Sequence, residues 1–260
     1  MYYALIGPAN APVVVLLHGL GSSGDDWPHQ LDALKAYRVL TVDLPGHHRS
    51  ARPAGGLSIP AMAEALDALL ARLAIERAHV VGLSLGGCVA LALALHAPAR
   101  VRSLVVINAF ARLRPAGLRA FARGAGRVLL ALGAPMRVVA AYVARDAFPR
   151  PQHAHLRDAL TARLAANVRR HYLGCLRALM RFDVRDRLRD IRCPTLIVAG
   201  ADDGTVPLAA KELLATAIPG ARLHVVRDSG HVTPYDDPAA LNALLVTHLR
   251  TADAGAGAGA

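Results

Sequence analysis

The sequence predicts an α/β architecture: a mostly parallel, doubly wound sheet with helices on both faces and a helical segment inserted late in the chain. Three observations carry this. Apolar runs such as Val13-Val14-Val15-Leu16-Leu17 and Thr195-Leu196-Ile197-Val198 lack polar alternation, as strands covered on both faces do. These runs alternate with helical patterns, which implies a parallel sheet. The rhythm then stops between 109 and 187, where Ala/Leu/Arg helices follow one another without a strong strand. A chain of 260 residues suits one such domain with an insertion.

Val13 to His18 is the first strand, and Gly19-Leu20-Gly21-Ser22-Ser23-Gly24 is the loop leaving it. Asp25 to Leu34 reads as a helix, Tyr37 to Asp43 as the next strand, and Leu44 to Ser50 as its loop. Ser58 is placed to cap a helix over Pro60 to Leu73, where Met62, Leu66, Leu69, Leu70 and Leu73 recur at helical spacing. The strand Ala78 to Leu83 runs into the helix Ser84 to His96, which ends before Pro98, and Arg102 to Asn108 is another strand. Pro115, Gly133-Ala134-Pro135 and Pro149-Arg150-Pro151 divide the helical insertion. Alternation resumes with strand Thr195–Gly200, helix Leu208–Ala217, strand Arg222–Val226 and helix Pro238–Leu249. The Ala-Gly-Ala-Gly tail is expected to be unstructured. The expected division is a core of 1–108 and 188–250, an arginine-rich helical cap of 109–187 at the sheet's C-terminal edge, and a disordered tail of 251–260.

The net charge of +11 lies in one segment. Residues 109–190 hold 17 Arg and five acids, whereas the rest holds 13 basic and 14 acidic residues. Codon bias accounts for arginine over lysine, since only Lys35 and Lys211 break the pattern, but it does not account for the clustering. No aromatic interleaving or recognition motif accompanies the arginines, which argues against nucleic acid. Cys88, Cys175 and Cys193 form no CxxC pair, which points to a reducing compartment. Met1-Tyr2-Tyr3-Ala4 shows no signal-peptide pattern, so a cytoplasmic location is expected. The most apolar stretch, Val128 to Ala144, is broken by Pro135 and Arg137, and no stable membrane insertion is expected.

The chemistry centres on Gly82-Leu83-Ser84-Leu85-Gly86, between a strand and a helix. A serine there sits in a very tight turn, lifted off the sheet at a helix N-terminus, and glycines remove the side chains that would clash. A serine hydroxyl needs a base, and the base needs an orienting group. Among twelve histidines, His231 stands on a glycine-flanked loop after a strand, while others, such as His79 and His248, fall within strand or helix patterns. Asp202 and Asp203 both follow the strand Thr195–Gly200 and compete for the acid's role. Their spacing to His231 is one helix and one strand, a single crossover, which brings the two loops side by side at one sheet edge. The backbone N–H groups of Leu85 and Leu20 are the candidate oxyanion donors.

Together, His18-Gly19-Leu20-Gly21, Asp43-Leu44-Pro45-Gly46-His47, Gly82-Leu83-Ser84-Leu85-Gly86-Gly87, Gly200-Ala201-Asp202-Asp203 with Val206-Pro207, and Ser229-Gly230-His231 resemble the α/β-hydrolase superfamily, in its compact bacterial form with a helical cap. The resemblance covers about 13–108 and 188–250. Its Gly-x-x-Asp register selects Asp203, and a serine at position 84 disfavours members that use an aspartate nucleophile. The chain departs from the family's Gly-His-Gly with Gly46-His47-His48. The resemblance implies an ester, thioester or lactone substrate, an acyl-enzyme on Ser84, and no metal or organic cofactor. A non-catalytic ligand-binding homologue, and a cofactor-free haloperoxidase or C–C hydrolase with the same triad, stand as alternatives. The core is similar to 3-oxoadipate enol-lactonases and to esterases of pimeloyl-[acyl-carrier protein] methyl ester. The latter would give the basic cap a use, gripping an acidic carrier protein.

Overall fold

Strands β1 (Tyr3–Ile6), β2 (Val13–Leu17), β3 (Arg38–Val42), β4 (Ala78–Leu83), β5 (Val101–Ile107), β6 (Thr195–Gly200) and β7 (Arg222–Val226) form one sheet, ordered β1-β3-β2-β4-β5-β6-β7. The computed structural model describes residues 1–53, 55–113 and 117–257. Every neighbouring pair is parallel except β1, which runs antiparallel to β3. The helices are α1 (Pro28–Ala33), α2 (Ile59–Arg72), α3 (Leu85–His96), α4 (Gly117–Gly133), α5 (Met136–Ala147), α6 (Ala154–Ala165), α7 (Arg169–Arg181), α8 (Leu208–Ala217), α9 (Thr233–Asp236) and α10 (Pro238–Gly257).

Burial explains the unbroken apolar strands. Successive side chains of a strand face opposite sides. In β2, Val15 and Leu17 pack with Met62, Leu66 and Leu70 of α2 and Val89 of α3. Val14 and Leu16 pack on the other face with Leu241, Leu245 and Leu249 of α10. Each such side chain, fully buried, contributes about 2 kcal/mol. Helix α3 is apolar on all sides and is buried from Leu85 through Ala94.

Two expectations change. Strand β1 was not predicted: it is short, half-buried and paired on one side only, so its pattern Tyr3-Ala4-Leu5-Ile6 carries little periodicity. The tail expected from 251 is helical through Gly257 as the end of α10, while 258–260 lie outside the described residues. Alanine is the best helix former, and Ala252 is buried while Asp253 is hydrogen-bonded to Arg102 and Tyr37.

Helices α4 to α7 occupy the break between β5 and β6. The insertion's two ends meet through an antiparallel bridge between Arg112 and Asp183, and Val184 N–H donates to the Ala111 carbonyl at 3.0 Å. Pro115, the expected first divider, lies outside the described residues. Arg150, between α5 and α6, reaches two core acids, Asp202 at 2.7 Å and Asp228 at 2.8 Å. Arg163 of α6 pairs with Asp26. Some of the segment's arginines therefore fasten it to the sheet's loops. No helix among the described residues is long and apolar enough to cross a membrane.

Candidate active site

Ser84 joins β4 to α3 with φ +53°, a left-handed conformation that costs a side-chain-bearing residue about 1–2 kcal/mol. Its neighbours hold it there. Ser84 N–H donates to the Ile107 carbonyl at 2.8 Å. A Cβ on Gly82 would come within 2.3 Å of the Gly86 oxygen, and one on Gly86 within 2.2 Å of the Leu17 oxygen. Only glycine lets the helix start so close to two strands. Ser84 is the N-cap of α3, yet its hydroxyl makes no capping bond. It meets His231 instead, with Oγ 3.0 Å from Nε2.

On its other side, His231 Nδ1 lies 3.0 and 3.1 Å from the two carboxylate oxygens of Asp203. The structure thus brings Ser84, His231 and Asp203 into one chain of contacts at the C-terminal edge of the sheet. Asp202 points elsewhere, to Arg150. The amide of Leu85 opens α3, where helical N–H groups lack intrahelical partners, and Leu20 follows Gly19 beside Ser84. Among the described residues neither amide donates to a protein acceptor.

Burial works to raise the Asp203 carboxyl, but the neighbouring His231 and Lys211 outweigh it and hold it down to about 2. Lys211 was not predicted to belong here. Its ammonium, wholly buried on α8, donates to Asp203 at 2.7 Å and to the Val206 carbonyl at 2.7 Å. Thr205 and Val206 N–H groups complete the carboxylate's shell at 2.8 and 3.0 Å. The available signal was a lysine at helical spacing from buried Leu214. Asn108, at the end of β5 with φ +48°, was missed too. Its side-chain NH₂ donates to the carbonyls of Gly230 and His231 at 3.1 and 2.9 Å, and its oxygen accepts from Gly200 N–H at 2.8 Å. It ties the histidine loop to two strand ends. Asp236 accepts from Ser229 Oγ and Gly230 N–H, each at 2.7 Å, and fixes the same loop from below.

Behind the oxyanion loop, His18 accepts from Leu44 N–H at 2.9 Å through Nε2 and donates to the Gly19 carbonyl through Nδ1. Burial lowers its pKa to about 4 and that of His47 to about 3. His48, where the family pattern has glycine, takes φ +40°. Over Ser84 and His231 lies a largely apolar pocket of about 120 Å³, roofed by residues such as Val143, Leu156 and Leu160. Its charged lining includes Arg163, paired with Asp26, and Arg127, whose Nε donates to Tyr172 Oη at 2.8 Å. No cluster of metal-ligating side chains occurs among the described residues.

The sequence matches the alpha/beta hydrolase fold family over residues 12–238. A curated relative from Caulobacter sp. (strain K31), named "Putative carbamate hydrolase RutD", is 37% identical over 255 residues, spanning 94% of this chain and 92% of its own. The crystal structure of a hydrolase from Pseudomonas aeruginosa PA01 is 34% identical, with a TM-score of 0.86 over 95% of this chain and 93% of its own. An enol-lactonase from Burkholderia xenovorans LB400 is 27% identical, with a TM-score of 0.87 over 96% of both chains. The extent of these matches, together with the sheet order and the strand–serine–helix turn, means that the chain belongs to the alpha/beta hydrolase fold family and is a hydrolase of that family.

Proposed function

We propose that the chain cleaves a small carboxylic ester, lactone, thioester or carbamate through an acyl-enzyme on Ser84. The observation that carries this reading is His231, within hydrogen-bond distance of Ser84 Oγ on one side and of Asp203 on the other. In this mechanism His231 takes the serine proton as Oγ attacks the acyl carbon. Asp203 orients the ring and balances the charge it acquires. The amides of Leu20 and Leu85 stabilise the tetrahedral oxyanion, each worth about 10²–10³ in rate. His231 then protonates the leaving group, and a water that it deprotonates releases the acid and restores Ser84.

Pocket size supports a short substrate. About 120 Å³ is less than the ~150 Å³ apolar cavity that accommodates a benzene. A carbamate is a second reading, favoured by the name of the 37% identical relative. The basic surface of the inserted helices keeps a carrier-linked ester in the test.

Purified protein is assayed on short esters, lactones, carbamates and a carrier-linked methyl ester, at low and high salt. Turnover of at least one class is expected, falling by about 10⁶-fold in Ser84→Ala while the fold is retained. A fluorophosphonate should label the wild type and not the variant. Absence of labelling and turnover would leave a non-catalytic binder. Halogenation or C–C cleavage without acyl hydrolysis would reassign the triad. A salt-sensitive preference for the carrier-linked ester would assign the basic surface to a carrier protein.

A further inference from the structure

A second pocket, about 330 Å³ in volume, opens at the other end of the sheet. Arg77 directly precedes β4, Arg102 lies on β5, Pro194 directly precedes β6 and Arg222 begins β7. These strands are consecutive neighbours, so their N-terminal ends make one edge. The last turns of α10 close it with His248 and Thr251. Ser84 follows the opposite end of β4, about 20 Å away at the rise of a six-residue strand.

We propose that this pocket binds a phosphate group, as the free dianion or as a small phosphate monoester. Three cations line it, and Asp253 reaches one of them: it accepts from Arg102 Nη1 at 3.0 Å and also contacts His79 at 3.1 Å. That pairing holds the Arg102 guanidinium in place while its buried Nε has no partner among the described residues. Arg77 and Arg222 are exposed and form no ion pair among the described residues. His248 is only 3% exposed and lines the pocket; its ring lies near the Pro194 and Leu104 carbonyls, yet neither ring nitrogen is in hydrogen-bond geometry with a partner among the described residues. A buried N–H without a well-placed partner is unfavourable, and a bound acceptor relieves that. Guanidinium forks match phosphate oxygens in pairs, an arrangement stronger than neutral hydrogen bonds. No aromatic side chain lines the pocket, so the bases of a nucleic-acid strand have nothing to stack on. The volume equals roughly ten waters at ~30 Å³ each, enough for a phosphate with a small substituent.

The test is calorimetric titration of the full chain at constant ionic strength with inorganic phosphate, glycerol phosphate and chloride. Saturable millimolar binding of phosphate over chloride is expected. It should weaken about tenfold in the double variant Arg77→Gln, Arg222→Gln, both exposed positions that the fold tolerates. The double variant Arg137→Gln, Arg181→Gln removes the same charge from exposed positions elsewhere and should bind as the wild type does. Equal affinity for glycerol phosphate would assign the site to phosphorylated metabolites, and preference for inorganic phosphate to the free ion. No saturable binding, or equal weakening in both double variants, overturns the proposal. None of these outcomes depends on hydrolysis at Ser84.

Discussion

Lys211 makes the acid beside His231 a shared carboxylate. Its wholly buried ammonium is destabilised by burial and supported by Asp203. A cation 2.7 Å from Asp203 also opposes the positive charge that His231 takes on during acyl transfer. In Lys211→Met that opposition disappears, so the acid limb of the kcat/KM profile should move to higher pH. Removing one partner of a buried pair should also lower stability by about 3 kcal/mol, measured by urea unfolding. A role in packing alone would lower stability and leave the pH profile in place. At this scale the sequence is informative where a residue's function is tied to local geometry. Ser84 sits between two obligatory glycines, and His231 on a glycine-flanked loop, so both stand out. Lys211 and Asn108 act through tertiary neighbours 8 and 92 positions away, which no local pattern encodes.

Elements converge at Asn108, where the ends of β5 and β6 and the histidine loop share one side chain. In Asn108→Ala the Gly200 N–H and two loop carbonyls lose partners, at about 1–3 kcal/mol for each group left unpaired. The loop should then shift relative to Ser84. We expect kcat to fall by about 10²-fold with KM little changed, the signature of a misplaced base. An unchanged kcat, with or without a rise in KM, would count against this positioning role. The parallel strands were legible because both faces are buried, which leaves a continuous apolar run. Strand β1 was not, because an edge strand paired on one side needs no such run. The tail was misjudged because its composition resembles a linker, whereas Ala252 and Asp253 are anchored against the sheet's lower edge.

For the whole molecule, acid stability follows from two buried imidazoles. His18 and His47 stand 4.9 Å apart, with pKa values of about 4 and about 3 against the ordinary 6.5. Protonated His18 would turn an N–H toward the N–H of Leu44. The folded state therefore binds fewer protons than the unfolded one. Stability is complete above pH 6.5 and declines as pH falls toward 3. The two protons these rings take up on unfolding contribute roughly 3 kcal/mol per pH unit to the slope near pH 5, and buried His248, also lowered to about 4, adds to it, measured by urea unfolding across a pH series. A flat profile between pH 7 and 5 would show that these rings titrate normally. Charge was the least legible property from sequence, because composition cannot tell the internal fasteners Arg150 and Arg163 from exposed cations. The scarcity of lysine has a practical corollary. With Lys211 sealed inside and Lys35 on the surface, the native chain offers acylating reagents one ε-amine besides its terminus. Brief labelling followed by mass spectrometry should add one side-chain tag to folded molecules and two to unfolded ones, so a tag count reports opening of the triad's floor without any substrate.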